Sequence, residues 1–206
     1  MTRSVSAAIL AAAIILGAAV ACGGGGGSSA NGQAPATFSA RFDTTKGPFV
    51  VKVTRSWAPR GADRFYNLVK SHFYDNQPIF RVVPGFVVQW GISGTPSVAK
   101  KWQNRTIKDD PVKHSNDKGT ITFATSGPNT RTTQLFVNLG ANSGLDSQGF
   151  SPFGAVTSGF PVLNQLYSGY GGSGGIDQAA ITQNGAAWVR KNYPKLDWIK
   201  TASIVH

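Results

Sequence analysis

Cysteine, histidine and acidic residues are scarce in this chain of 206 residues, and each scarcity removes a class of chemistry. The one cysteine, Cys22, leaves no internal disulfide, so the redox compartment cannot be read from pairing. The three histidines, His72, His114 and His206, share no ligand spacing, which leaves no basis for a metal site. His114 stands near Asp109 and Asp110, but in a polar stretch without a placed nucleophile, and reads as a solvated histidine. No G-x-S-x-G elbow is present. Nine acidic residues face twenty lysines and arginines, a formal net charge of +11. The basic residues are scattered, with no run longer than two, as at Lys100-Lys101 and Arg190-Lys191. That pattern favours a solvated surface drawn to an anionic envelope over a nucleic-acid footprint, so no nucleic-acid partner is expected.

A long apolar run is also missing beyond the first twenty-one residues. Arg3 supplies a small positive region, residues 4–21 carry no charge, and Ala19-Val20-Ala21 places small residues directly before Cys22. This is the layout of a secretory signal. Cys22 falls where a bacterial lipoprotein signal is cleaved and its thiol lipidated, although Ala19 stands where leucine is usual. A plain signal cut near Ala21 and a retained membrane helix are the alternatives. Residues 22–36, opened by Gly23 to Gly27 with Ser28 and Ser29, read as a flexible linker spanning about 20 Å r.m.s.. A folded domain is expected over 37–206, long enough to bury a core without disulfides or metal. The expected location is extracytoplasmic, as a lipoprotein held at a bacterial envelope through its N-terminal lipid.

Within that domain, Phe38 to Asp43 and Pro48 to Val53 flank the turn Thr44-Thr45-Lys46-Gly47 and read as an opening hairpin. Ala58 to Phe73 reads as a helix, with Pro59 in its first turn and Ala62, Phe65, Val69 and Phe73 at helical spacing. Strands are expected over Pro78–Val83 and Phe86–Gly91 around a Pro84-Gly85 turn, then over Gly119–Ala124, Gln134–Leu139, Pro152–Val156 and Leu196–Val205. Ser93 to Lys118 reads as a long surface excursion. Val162–Tyr167 and Ile176–Tyr193, irregular at Gly185, read as helices. Many short strands with few helices imply an antiparallel barrel or sandwich. Gly169, Gly171 and Gly174 match G-x-G-x-x-G, but they follow an expected helix rather than a buried strand, so no dinucleotide cofactor is expected.

The segment Phe80-Arg81-Val82-Val83-Pro84-Gly85-Phe86-Val87-Val88-Gln89-Trp90-Gly91 sets an arginine and a glutamine into an apolar β pattern. Burying a guanidinium is costly unless something offsets it, so the segment points to a site. An arginine snorkelling over core aromatics is the structural alternative. With Phe123-Ala124-Thr125-Ser126-Gly127-Pro128-Asn129-Thr130, Gln134-Leu135-Phe136, and Leu145-Asp146 followed by Phe153-Gly154, the chain resembles the cyclophilin-type peptidyl-prolyl cis-trans isomerases from about Phe38 to Val205.

That resemblance implies a mainly β fold, a closed antiparallel eight-stranded barrel with flanking helices. It implies Xaa-Pro isomerisation without cofactor or metal, on proline-containing polypeptides, by a monomer. It places Arg81, Phe86, Gln89 and Phe136 in catalysis and Val87, Ala124, Thr125, Gln134, Leu145 and Phe150 in substrate binding. The family often has methionine where Val87 stands and asparagine where Thr125 stands. Animal cytosolic members have a tryptophan where this chain has Gly144, so weak cyclosporin binding at best is expected. Their pocket-edge histidine falls near Gly149 or Phe150, and Phe150 is assigned the role. A non-catalytic module that grips proline segments or acts as a chaperone at the envelope is the second functional reading. Loss of Arg81 or of a pocket phenylalanine would have favoured it, and both are present.

Overall fold

The computed structural model describes residues 32–205. The apolar N-terminal segment, Cys22 and the glycine run lie outside them. Packing begins before the first strand: Ala34 is buried and its N–H donates to Asp63 Oδ1 at 2.9 Å.

β1 (Thr37–Thr44) and β2 (Gly47–Thr54) form the opening hairpin, in register from Thr37↔Thr54 to Thr44↔Gly47. Their alternation buries Phe38, Ala40 and Phe42 against Phe49, Val51 and Val53, and turns Lys52 outward. α1 (Pro59–Lys70) stops short of the expected Phe73, because His72 takes a left-handed conformation with φ 56°. Its N-terminus has no cap from Ala58. Instead Asp110, fifty positions on, accepts from the N–H groups of Arg60 and Gly61 at 3.1 and 2.9 Å. Arg131, 1% exposed, holds Asp110 in place through two nitrogens at 3.1 Å.

The remaining elements are β3 (Gln77–Pro78), β4 (Arg81–Val83), β5 (Val87–Trp90), α2 (Pro96–Gln103), β6 (Thr120–Phe123), β7 (Leu135–Asn138), β8 (Pro152–Ser158), α3 (Phe160–Leu163), α4 (Gln178–Asn192) and β9 (Trp198–Val205). The nine strands make one antiparallel sheet in the order β3-β9-β1-β2-β8-β6-β7-β5-β4. This corrects the expected closed, eight-stranded barrel. The strand expected over Pro78–Val83 is broken in two, and each half pairs with a different neighbour. Between the halves, the Ile79 N–H donates to the Asp197 carbonyl at 3.0 Å, and the Phe80 carbonyl accepts from the Ile176 N–H at 2.9 Å. The two edges of the curled sheet therefore meet through the chain itself, not through a continuous ladder.

Two further expectations are revised, and a third holds. The excursion from Ser93 to Lys118 contains α2, which opens on Pro96 and buries Ala99, and it also buries Asp110 and Asn116. The helix expected over Val162–Tyr167 is the shorter, earlier α3 behind Gly159, whose φ is +76°. α4 carries its irregularity at Gly185, with φ 71°.

The main core fills the concave face. Phe42 and Phe49 stack at 4.9 Å, and Trp90 meets Phe42 edge-on at 5.4 Å. Each such fully buried side chain contributes roughly 1.5–3 kcal/mol. Two smaller apolar clusters stand apart. One joins Phe80 and Ile92 to Ile181 and Val189 of α4. The other contains Val87, Phe136, Leu145 and Phe150.

Candidate active site

Strand alternation separates core from site. On β5, Val88 and Trp90 enter the main core, so Val87 and Gln89 face the opposite side. On β7, Val137 and Leu135 enter the core, and Phe136 faces with Gln89. On β4, Val82 enters the core and Arg81 does not. The turn through Pro84 and Gly85 (φ +73°), closed by the Phe86 N–H on the Val83 carbonyl at 2.9 Å, pairs Arg81 with Gln89 directly. Gln89 in turn opposes Phe136. Arg81, Gln89 and Phe136 thus form one row across three strands.

Arg81 is 7% exposed. Its Nη1 donates to Gln89 Oε1 at 3.0 Å, its Nε donates to the Ser173 carbonyl at 2.6 Å, and its guanidinium carbon lies 5.6 Å from the centre of the Phe86 ring. Among the described residues it forms no ion pair. Burial lowers its pKa below the ordinary guanidinium value, and no carboxylate opposes that shift. The group nevertheless stays charged at neutral pH. Gln89 Nε2 donates to Gln134 Oε1 at 2.9 Å.

Beside this row lies the small apolar cluster. Phe136 and Phe150 meet edge-on at 5.7 Å, with Val87 and Leu145 buried next to them and Phe86 and Ala124 at the rim. Leu145 sits in a 3-10 turn (Ser143–Gln148) that ends at Gly149, φ +84°, and delivers Phe150. Asp146 ties this turn down by accepting from Ser115 Oγ at 2.6 Å and from the backbone and side chain of Asn116 at 2.9 and 2.7 Å. Burial alone would raise the Asp146 pKa, but the hydrogen bonds from Ser115 and Asn116 outweigh it and hold the carboxyl below its usual range. Asn116 Nδ2 also donates to the Phe150 carbonyl at 2.9 Å.

Nine of the ten expected catalytic and binding residues thus gather around one row and one cluster. Thr125 is expected to act through its backbone, and its side chain does not join them. Its hydroxyl bonds the Gly127 carbonyl and Thr130 Oγ1, closing its own loop. Two groups at the site were not anticipated: the Ser173 carbonyl on Arg81, and Gln178, whose Oε1 accepts from Gln134 Nε2 at 3.0 Å. Among the described residues no three His, Cys, Asp or Glu side chains gather as metal ligands, and no helix is long and apolar enough to cross a membrane.

A cation held without a counter-charge beside an apolar slot can stabilise an electron pair that appears only in a transition state. Comparison with known proteins shows the family. The family model described as cyclophilin type peptidyl-prolyl cis-trans isomerase/CLD matches residues 39–184. A peptidyl-prolyl cis-trans isomerase-like 1 from Aspergillus oryzae is 33% identical over 131 residues, covering 61% of this chain and 79% of the relative. A peptidyl-prolyl cis-trans isomerase of Schizosaccharomyces pombe is 29% identical over 134 residues, covering 62% and 84%. The fold is that of a Cryptosporidium parvum cyclophilin type isomerase, with a TM-score of 0.63 and 23% identity over 82% of this chain and 98% of that one. With the family model matched from β1 into α4, the chain belongs to the cyclophilin-type peptidyl-prolyl cis-trans isomerases and is an isomerase.

Proposed function

We propose that this isomerase accelerates Xaa-Pro rotation in extracytoplasmic proteins, as a lipid-tethered folding or assembly factor with Arg81 as its catalytic donor. The observation that carries the catalytic assignment is the buried, unpaired Arg81 locked to Gln89 beside the Phe136 cluster. Rotation about a peptide bond faces a barrier of about 18–20 kcal/mol, set by amide resonance. In the twisted state the prolyl nitrogen gains a localised lone pair. Arg81 Nη2 makes no hydrogen bond among the described residues and is the donor left for that nitrogen. Because the lone pair exists only in the twisted state, the contact lowers the barrier without tightening ground-state binding. Val87, Phe136, Leu145 and Phe150 form the wall of the proline slot, with Phe86 and Ala124 at its mouth. Gln89 and Gln134 each keep an amide hydrogen for a substrate carbonyl. The backbone at Ala124 and Thr125 is the rail for the flanking peptide.

The test is cis-to-trans isomerisation of a short Xaa-Pro peptide by the wild type and by Arg81→Ala. Fast turnover that is lost in the variant supports the assignment. A folded wild type without turnover moves the reading to a non-catalytic module that holds proline segments.

The envelope location is supported by Arg3, the uncharged stretch 4–21 and the small residues before Cys22. On this reading Cys22 carries the lipid, and the basic domain lies against an anionic surface. Cys22→Ser should release the protein from membranes. Persistent membrane association of that variant would indicate an uncleaved helix instead.

A further inference from the structure

Two of the groups that reach the Arg81 row come from one glycine-rich segment, Gly171 to Gln178, which leads into α4. Ser173 lies 92 positions beyond the arginine it contacts. The segment is held at its C-terminal end. The Ile176 N–H donates to the Phe80 carbonyl at 2.9 Å, and the Ile176 side chain is buried beside Phe80 and α4. Asp177 caps α4 by accepting from the N–H groups of Ala179 and Ala180 at 2.8 and 3.1 Å, which fixes Gln178 as the first helical residue. At Gly175, with φ +73°, a Cβ would stand 2.5 Å from the Phe80 carbonyl oxygen and 2.6 Å from Arg81 Cβ. Only glycine lets the backbone lie this close against β4.

The polarity of the side-chain row follows from its first member. Arginine can only donate, so Gln89 must turn its oxygen to Arg81 and its NH2 to Gln134. Gln134 must then offer its oxygen to Gln89, and its NH2 finds the Gln178 oxygen. The three links measure 3.0, 2.9 and 3.0 Å. Reversing any one amide would set oxygen against oxygen or NH2 against NH2. Gln178 is thus the terminal acceptor that holds Gln134, and through it Gln89, in one of two possible orientations.

We propose that Gln178 and the Ser173 carbonyl are positioning groups for isomerisation: they fix the Arg81 guanidinium and the Gln89 and Gln134 amides in the orientation that meets the twisted peptide. The proposal rests on the reading of Arg81 as the catalytic donor. Neither group touches the reacting bond, so the effect belongs to the rate on the enzyme and not to peptide affinity.

The test compares the full-length wild type, Gln178→Leu, Gln178→Glu, Gly175→Ala and Arg81→Ala by NMR exchange on a Xaa-Pro peptide. That measurement separates affinity from the on-enzyme isomerisation rate, and thermal melting of each variant runs beside it. Loss of one well-placed hydrogen bond predicts that Gln178→Leu slows the on-enzyme rate about three- to tenfold, with affinity within about twofold. Gln178→Glu keeps an acceptor for Gln134 and should restore most of the rate. Gly175→Ala displaces the Ser173 carbonyl from Arg81 and should lose at least as much as Gln178→Leu. An unchanged rate in Gln178→Leu, no recovery in Gln178→Glu, or a loss confined to affinity overturns the role of Gln178. A wild-type rate in Gly175→Ala overturns that of Ser173. In each of these cases an active wild type with an inactive Arg81→Ala leaves the catalytic reading standing. A wild type without turnover overturns both.

Discussion

On the proposed role of Arg81, removing its guanidinium should separate catalysis from stability. In the transition state Arg81→Ala loses a charge-assisted hydrogen bond to the prolyl nitrogen, about 1.5–3 kcal/mol, or about 10- to 150-fold in kcat/KM. In the ground state the losses are small. The variant gives up bonds to Gln89 Oε1 and to the carbonyl of Ser173, an exposed residue that water can solvate. It also relieves the cost of a buried charge without a carboxylate partner, so net destabilisation should stay within about 1.5 kcal/mol. Peptide affinity should change little, because Val87, Phe136, Leu145 and Phe150 remain. Arg81→Lys should fall between wild type and alanine. A single ammonium keeps the charge but cannot serve the Ser173 carbonyl, Gln89 and the substrate from one rigid fork. The assay is isomerisation of a Xaa-Pro peptide at matched folded concentration, with urea melts of each variant. Arg81→Ala retaining half or more of wild-type kcat/KM, or losing activity only in step with unfolding, would refute the reasoning.

Arg131 should behave in the opposite way. It is buried against Asp110 and 3.3 Å from Asp109, so Arg131→Ala removes the buried partner of the Asp110 carboxylate and leaves it only the Arg60 and Gly61 N–H groups and the exposed Arg60 side chain, which should cost about 3 kcal/mol, seen as a lowered urea midpoint with normal activity per folded molecule. Acid should weaken the fold through Asp63 and Asp146. Burial raises both pKa values, but hydrogen bonds, from Arg55 and Ala34 in one case and from Ser115 and Asn116 in the other, bring both below the usual carboxylate range. Their stabilisation is therefore complete above about pH 4, the unfolded value, and is lost as pH falls through the lower folded values. Urea midpoints should drop across that acid window, and less steeply in Asp146→Asn. Finally, a Cβ added at Gly144 would meet nothing within 4 Å, and its φ is not positive, so Gly144→Trp should fold normally and raise cyclosporin affinity by about tenfold or more, as measured by calorimetry.

Much of the fold was legible because its signals are local. Alternation in β1 and β2 specifies which face meets the core, whereas β5 and β7 are buried at every position, and only the observed strand register shows that the Pro84-Gly85 turn leaves Arg81 and Gln89 on one face. The expected break at Gly185 follows from the same kind of local signal. α2 is masked in the sequence: Pro96 at its start and Ala99 and Trp102 inside it have helical spacing, but they sit among polar residues that read as a surface loop. The broken strand at Ile79–Phe80 was invisible for a different reason. Nothing in those apolar residues announces that Asp197 and Ile176 will take their backbone groups.

The site divides along the same line. Its row was readable from an arginine and a glutamine set into valines and phenylalanines, because a cation in an apolar strand demands an explanation wherever its partners come from. Its supports were not. Asp110, Asn116 and Arg131 are polar letters in loop-like stretches, and their burial depends on partners 21 to 50 positions away. Ser173 contributes a backbone carbonyl, which has no side-chain signature at all. The Gly171–Gln178 segment overlaps a poor match to a nucleotide motif, yet it is Gly175, outside that match, whose lack of a side chain is explained by close approach to the Phe80 carbonyl and Arg81. Local pattern therefore points to the residue proposed to act, while the groups that contact it are set by long-range closure of the sheet edge. That is why tests of Ser173 and Gln178 must be read against Arg81 rather than alone.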